Sequence, residues 1–246
     1  MIKWLPSRIP VFIWQFERFL SLRVRPIIVK AFEELPDVRV VIYELAGAPP
    51  PAEQVNRTSR PRMTAGRATV IRLLNKYGIL GYDLTLIEIQ KLLYFLQIGG
   101  EDLRLRFEKG TYGPYADNLR HVLTRFEGHF TTGFGDGKNT PDTPIQLLPG
   151  AVEEAEQFVA NHLDEVSETA QRFERVITLI EGFESPYGME LLASVHWVAT
   201  QTDGTATELD SVQDAIFAWN DRKRRVMKPD HIKVAWDRLQ SQKWLP

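Results

Sequence analysis

A mainly α protein is what this sequence predicts: a compact multi-helix domain with a short β element, preceded by an α/β fragment. Apolar residues recur at helical intervals along most of 67–241, and within that span the stretch Leu103-Arg-Leu-Arg-Phe107 alternates with period two. Between 46 and 66 the composition shifts to Gly, Pro and polar residues without periodicity. The predicted organisation is a helix-plus-strand fragment at 1–45, a linker at 46–66 and a helical domain at 67–246.

Each element has its own warrant. Val24, Ile27, Ile28, Ala31, Phe32 and Leu35 space a helix, and Val38-Arg-Val-Val-Ile-Tyr43 is β-branched and extended. Three consecutive prolines, Pro49 to Pro51, favour an extended polyproline linker. Val70, Leu73, Leu74 and Tyr77 share a face that stops at Gly78. Thr85-Leu-Ile-Glu88 is a capping-box pattern for a helix with Leu86, Ile89, Leu93 and Leu96 on one side, stopped by Gly99-Gly100. After the strand, Gly113 is expected in a turn and Pro114 at the first position of a helix that buries Leu119, Val122, Leu123 and Phe126 and ends at Gly128. Beyond a loop at 131–144, one helix carries Val152, Ala155, Val159 and Leu163, and the next Val166, Ala170, Phe173, Ile177 and Ile180. Helices at 186–200, 211–222 and 230–241 complete the set, the last with Ile232, Ala235, Trp236 and Leu239 in register.

Composition narrows the function classes. The 246 residues are 43% hydrophobic and 25% charged, as in globular domains. The absence of cysteine excludes thiolate nucleophiles, disulfides, zinc ribbons and iron–sulfur clusters, and fits a cytoplasmic protein. The apolar run Val11 to Trp14 is too short for a signal peptide and follows Pro6 and Pro10; no stretch approaches the roughly 18 to 20 apolar residues of a membrane helix. His121, His129, His162, His196 and His231 make no metal-binding spacing, so no metal site is expected. Gly133-Phe-Gly-Asp-Gly137 lacks the Lys-Ser/Thr of a phosphate loop and reads as a turn. No nucleophile, base and orienting acid assemble from the scattered Ser, His and Asp, so no catalytic residue and no cofactor are assigned, and binding is favoured over catalysis.

The net charge of -2 conceals a strong internal polarity. Residues 150–214 carry about 14 acids against about 2 bases, roughly -12, between flanks near +5 each. Such a surface repels phosphates and attracts a basic partner. The run Arg222-Lys-Arg-Arg225 either contacts phosphates or pairs with the acidic helices.

Several segments resemble a known family. Ile89-Gln-Lys-Leu-Leu-Tyr-Phe-Leu-Gln97, Leu103 to Leu123 with its Tyr112-Gly-Pro-Tyr115, Ala218-Trp-Asn-Asp-Arg-Lys-Arg-Arg225 and His231-Ile-Lys-Val-Ala-Trp236 are similar to the C-terminal domain of DarG antitoxins and to SocA or Panacea-type antitoxin domains. In that family an N-terminal macrodomain removes ADP-ribose from DNA, and the C-terminal domain binds a DarT toxin, a DNA ADP-ribosyltransferase, by DNA mimicry. The resemblance implies an antitoxin whose partner is a DarT-like toxin, with direct DNA binding and membrane association not expected. Residues 22–55 look like the last helix and strand of a macrodomain, with the hydrolase region lying upstream, so this chain is expected not to be an enzyme. Glycohydrolase activity in a fuller chain, and a nucleic-acid-binding regulator, are the alternatives. If the domain mimics DNA, Glu153, Glu154, Glu156, Asp164, Glu165 and Glu168 stand in for phosphates, and Tyr112 and Tyr115 for stacked bases.

Overall fold

The structure is a computed structural model that describes residues 2–4, 10–12, 30, 58–78, 84–135, 140–201 and 208–245, with the side chains of 2–4, 10–12, 164–166 and 201 excepted. The chain divides into two units, Met1–Gln54 and Val55–Pro246. In the first, β1 (Ile2–Trp4) pairs antiparallel with β2 (Pro10–Phe12), Ile2 opposite Phe12. Apart from Lys30, the helix and strand expected at 22–44 lie outside the described residues, as do residues 46–57 of the expected linker.

The second unit is mainly α. Its described helices are α1 (Ala65–Gly78), α2 (Leu86–Ile98), α3 (Leu119–Phe126), α4 (Ala151–Asn161), α5 (Leu163–Ile180), α6 (Pro186–Gln201), α7 (Leu209–Trp219), α8 (Asp221–Val226) and α9 (Pro229–Ser241). Two antiparallel hairpins accompany them: β3 (Phe107–Gly110) with β4 (Gly113–Ala116), and β5 (Thr131–Thr132) with β6 (Gln146–Leu147).

Helices α2 and α6 form the centre. The capping box at Thr85 is present: Glu88 accepts from the Thr85 amide and hydroxyl, both at 2.7 Å, while its other oxygen takes the Tyr77 hydroxyl at 2.6 Å and so ties α1 to the start of α2. The sequence predicts one apolar face for α2, yet every residue from Glu88 to Leu96 is buried, and so is every residue of α6 from Met189 to His196. A helix apolar nearly all round belongs inside, and the run Leu92-Leu-Tyr-Phe-Leu96 is that signal. Around this pair, α1 and α5 pack against α2, and α7 and α9 against α6; α4 lies on α1.

Three local expectations need correction. Residues Leu103 to Arg106 alternate in burial but do not pair with a strand: the Gln97 amide exchanges two bonds with the Leu105 backbone, and the Asn118 amide bridges Arg104 and Arg106. Side-chain amides thus satisfy the backbone that a neighbouring strand otherwise would. Gly113 and Pro114 open β4 rather than a helix, and α3 begins at Leu119. The helix expected at 211–222 breaks at Asn220, whose extended backbone ends α7 and whose side-chain oxygen accepts the Lys223 amide at 2.8 Å to cap α8.

Candidate functional site

The hairpin β3–β4 is fastened at both ends and from beneath. At its base, the Gln90 side chain of α2 exchanges two hydrogen bonds with the Ala116 backbone, at 2.9 and 3.1 Å. At its tip, Trp219 Nε1 donates to the Gly110 carbonyl at 3.0 Å and the Asn220 amide to Thr111 at 3.2 Å. The Arg222 guanidinium covers the Tyr112 ring at 4.5 Å. Gly113 has φ +97°, and a Cβ there would lie 2.9 Å from Ser194 Oγ and 3.4 Å from Lys91 Cε. Only glycine lets the hairpin approach α6 and α2 this closely.

Under the tip lies a charged cluster closed to water. Lys223, Glu190, Ser194 and Lys91 are all buried. Lys223 Nζ donates to Glu190 Oε1 at 2.9 Å and to Ser194 Oγ at 2.8 Å, and Arg222 reaches the same carboxylate oxygen at 2.5 Å. Lys91 Nζ donates to the Pro114 carbonyl at 2.9 Å. Burial, and then the nearby Lys223 ammonium, push the Lys91 amine down to about 7, against the opposing pull of Glu190. Burial also lowers Lys223, with Glu190 working in the other direction. Glu190 is engaged by Lys223 and Arg222, so burial disfavours the charged form of Lys91 without a carboxylate held for it alone. The Ser194–Lys223 pair has the composition of a nucleophile and base, but both are buried, which makes the cluster a clamp on the hairpin rather than a reacting centre.

A second buried polar pair lies on the same central helices. The Tyr94 hydroxyl and His196 Nδ1 are 2.7 Å apart, and burial lowers His196 to about 4, against the raising effect of a hydrogen bond with the Trp244 backbone. The remaining histidines also have protein partners or stand exposed: His129 bonds Thr58, His162 stacks on Phe158, His231 bonds Tyr187 and His121 faces solvent. Among the described residues no three His, Asp or Glu are grouped to hold a metal, and no helix is long and apolar enough to cross a membrane.

The candidate partner-binding residues fall in two places. Glu153, Glu154 and Glu156 lie on α4, where Arg60 holds Glu154 at 2.5 Å and Arg72 holds Glu156 at 2.8 Å. Glu168 on α5 is bonded to Arg172 at 2.7 Å, and Arg172 also reaches Glu101. The Asp164 and Glu165 side chains lie outside the described residues. Tyr112 is half-buried at the hairpin tip, and Tyr115 is 43% exposed on β4. The acidic helices therefore pack with α1, while the two tyrosines belong to the hairpin on α2 and α6. The run Arg222 to Arg225 resolves in part: Arg222 and Lys223 pair with Glu190, whereas Arg224 and Arg225 form no ion pair among the described residues.

Sequence reasoning did not single out Lys91, Glu190, Ser194 or Trp219 as site residues. The signal for Lys91 and Glu190 is a charge inside an apolar helix: Lys91 precedes Leu92-Leu-Tyr-Phe-Leu96, and Glu190 stands between Met189 and Leu191-Leu192. The segments that carry the family resemblance converge on this spot, since Lys91, Tyr112 to Tyr115 and Trp219 to Lys223 all meet at the hairpin.

Fold and site together define a mainly helical unit that presents a clamped aromatic hairpin on one side and a seam of surface carboxylates on another. No family model matches the chain. It is similar to a protein of Thermus aquaticus named DNA ADP-ribosyl glycohydrolase, 43% identical over 216 residues, which are 88% of this chain and 58% of that protein. Proteins of the same name from Mycobacterium bovis and Mycobacterium tuberculosis are 38% identical over 225 residues, covering 86% of this chain and 62% of theirs. The chain thus spans less than two thirds of these relatives' length. Because the second unit is shorter than the chain by the 54 residues of the first, the 216-residue match extends into the first unit as well. These names overturn the expectation that the chain is not an enzyme. That expectation rested on the resemblance, which likened residues 22–55 to the last helix and strand of a macrodomain and put the hydrolase region upstream of them.

Proposed function

We propose that this protein removes ADP-ribose from DNA, acting as a DNA ADP-ribosyl glycohydrolase in the cytoplasm. The observation that carries this reading is the 38–43% identity to proteins of that name along 86–88% of the chain. The test is direct. A DNA oligonucleotide carrying ADP-ribose is incubated with the intact chain, and free ADP-ribose is followed by chromatography. Release that rises with protein concentration is expected; no release at stoichiometric protein overturns the reading.

A second role is favoured by the carboxylates of α4. Glu154 and Glu156 sit at the surface beside Glu153, the first two held by cations from a different segment. In this reading the helical unit also neutralises a DarT-like DNA ADP-ribosyltransferase by DNA mimicry: Glu153, Glu154, Glu156, Asp164, Glu165 and Glu168 take the place of phosphates in a basic groove, and Tyr112 and Tyr115 supply aromatic surface. Surface ion pairs are weak, so Arg60 and Arg72 exchange readily for a partner's cations. Co-expression with the cognate toxin tests it by co-purification and growth rescue. Glu153→Lys with Glu156→Lys is expected to abolish both, and failure of the unaltered chain to bind or rescue overturns it.

A further inference from the structure

The part of the basic run that the clamp leaves over has its own geometry. Arg222 and Lys223 turn inward to Glu190, and α8 then presents Arg224 and Arg225 outward, both exposed. Arg224 Nε donates to the Phe217 carbonyl at 3.2 Å, and Lys228 Nζ to the Arg225 carbonyl at 3.3 Å. Backbone oxygens therefore restrain two of these cations without neutralising them. Among the described residues none of Arg224, Arg225 and Lys228 forms an ion pair, and Lys109 adds an exposed ammonium at 4.8 Å from the Trp219 ring. The exposed acids flanking the run are Asp221 and Asp230, and on the hairpin the exposed Glu108 stands opposite Tyr115. The carboxylates of α4 pack with α1, whereas this corner adjoins the hairpin on α2 and α6. Tyr115, 43% exposed, lies three residues from Tyr112 at the hairpin tip, within about 10 Å along an extended strand.

We propose that the corner made by Arg224, Arg225, Lys228 and the β3–β4 hairpin is a contact surface for a single strand of DNA. Three exposed cations within five residues of chain offer charge to the phosphates of one strand, and Tyr115, on the hairpin whose tip Trp219 and Asn220 hold, offers a stacking face to an unpaired base. A duplex keeps its bases stacked on one another and leaves that ring unused. The inference rests on the proposed action on DNA and deepens it by naming how the strand is held.

The experiment uses the intact chain and an unmodified, fluorescein-labelled 20-nucleotide oligothymidylate read by anisotropy, beside a duplex of the same length. Single-strand binding at 50 mM salt is expected, weakening steeply at 200 mM. The triple variant R224E/R225E/K228E is expected to weaken it more than tenfold, and R224Q/R225Q/K228Q to lower the logarithmic salt slope by about 2, near 0.7 per lost cation. Tyr115→Ala is expected to cost about tenfold on the single strand and little on the duplex. All these side chains are exposed, so the unfolding midpoints should stay near that of the parent. No binding at 50 mM salt, binding unmoved by either triple variant, or a tighter duplex complex overturns the proposal. Because the probe carries no ADP-ribose, its outcome is separate from glycohydrolase activity: a protein that releases ADP-ribose but ignores this oligonucleotide refutes the surface alone.

Discussion

Beneath the hairpin, Glu190 holds Lys223 and Arg222 where Glu190 and Lys223 are at most 2% exposed; on α4, Glu154 and Glu156 are reached at the surface by Arg60, ahead of α1, and by Arg72 within it, Glu156 half exposed. Both regions pair the same residue types at similar distances. Burial makes them behave differently. Coulomb attraction at the surface is screened by water and salt, and an unpaired partner is simply resolvated. In the closed cluster an unpaired charge has no solvent to return to, so each group depends on the others. The first region fixes the position of a hairpin, and the second leaves carboxylates available to a partner.

The largest consequence should come from Glu190. Glu190→Gln leaves the Lys223 ammonium buried without its anion, and removing one partner of a buried pair costs about 3–5 kcal/mol. Urea unfolding of the variant is expected to show that loss, and a loss below about 1 kcal/mol would erase the distinction between the two regions. Gly113→Ala comes next, at about 2–3 kcal/mol, because it combines a left-handed backbone with a Cβ 2.9 Å from Ser194 Oγ. In a Ser194→Ala background part of that penalty should disappear; equal penalties in both backgrounds would place the strain in the backbone alone.

Titration of Lys91 separates the regions by pH. Its native value near 7 lies below the ordinary 10.5 of the unfolded chain. Between those limits the unfolded state holds a proton that the native state has released, so stability rises with pH through the window, by up to about 1.4 kcal/mol per unit. It is lost as pH falls toward 7, and below 7 this group adds no further slope. Lys91→Met should reduce the slope between pH 7 and 10.5, leaving the part that Lys223, also lowered by burial, contributes below 10.5 and that of His196, which operates between about 4 and 6.5 in the same direction. An unchanged slope in denaturant midpoints over pH 7–10 would show that Lys91 stays protonated in the fold.

Periodicity made the helices legible, since a one-faced apolar stripe depends on local spacing: the faces of α1, α3 and α9 are those the sequence predicts. It failed where burial is complete. Lys91 and Glu190 sit within helices that have no solvent face, and a stripe analysis places any charge outward by default. The total of -12 for 150–214 likewise counted Glu190 as surface, because no local rule says that it meets Lys223 from 33 residues away. The expected helix at 211–222 runs through Asn220, although an Asn followed by a charged turn is a cap signal. Tyr112-Gly-Pro-Tyr115 is ambiguous locally, because Gly-Pro fits both a turn with a helix start and a strand entered from a tight turn. What decided between them was the contact with Ser194 and Lys91, a tertiary fact.

The smallest effect should be found on α4. Glu156→Ala removes the carboxylate from Arg72, and the cost to stability is expected below about 1 kcal/mol, falling further as salt is raised. Arg72→Ala should cost more than its ion pair, because the guanidinium also lies 4.8 Å from the centre of the Phe173 ring. A double-mutant cycle between Arg72 and Glu156 isolates the pair from that packing. A coupling near 0.5 kcal/mol or less leaves Glu156 free to leave its own arginine for a partner's at little cost to the fold, whereas a coupling of several kcal/mol would make α4 part of the structural framework and remove it from the binding surface.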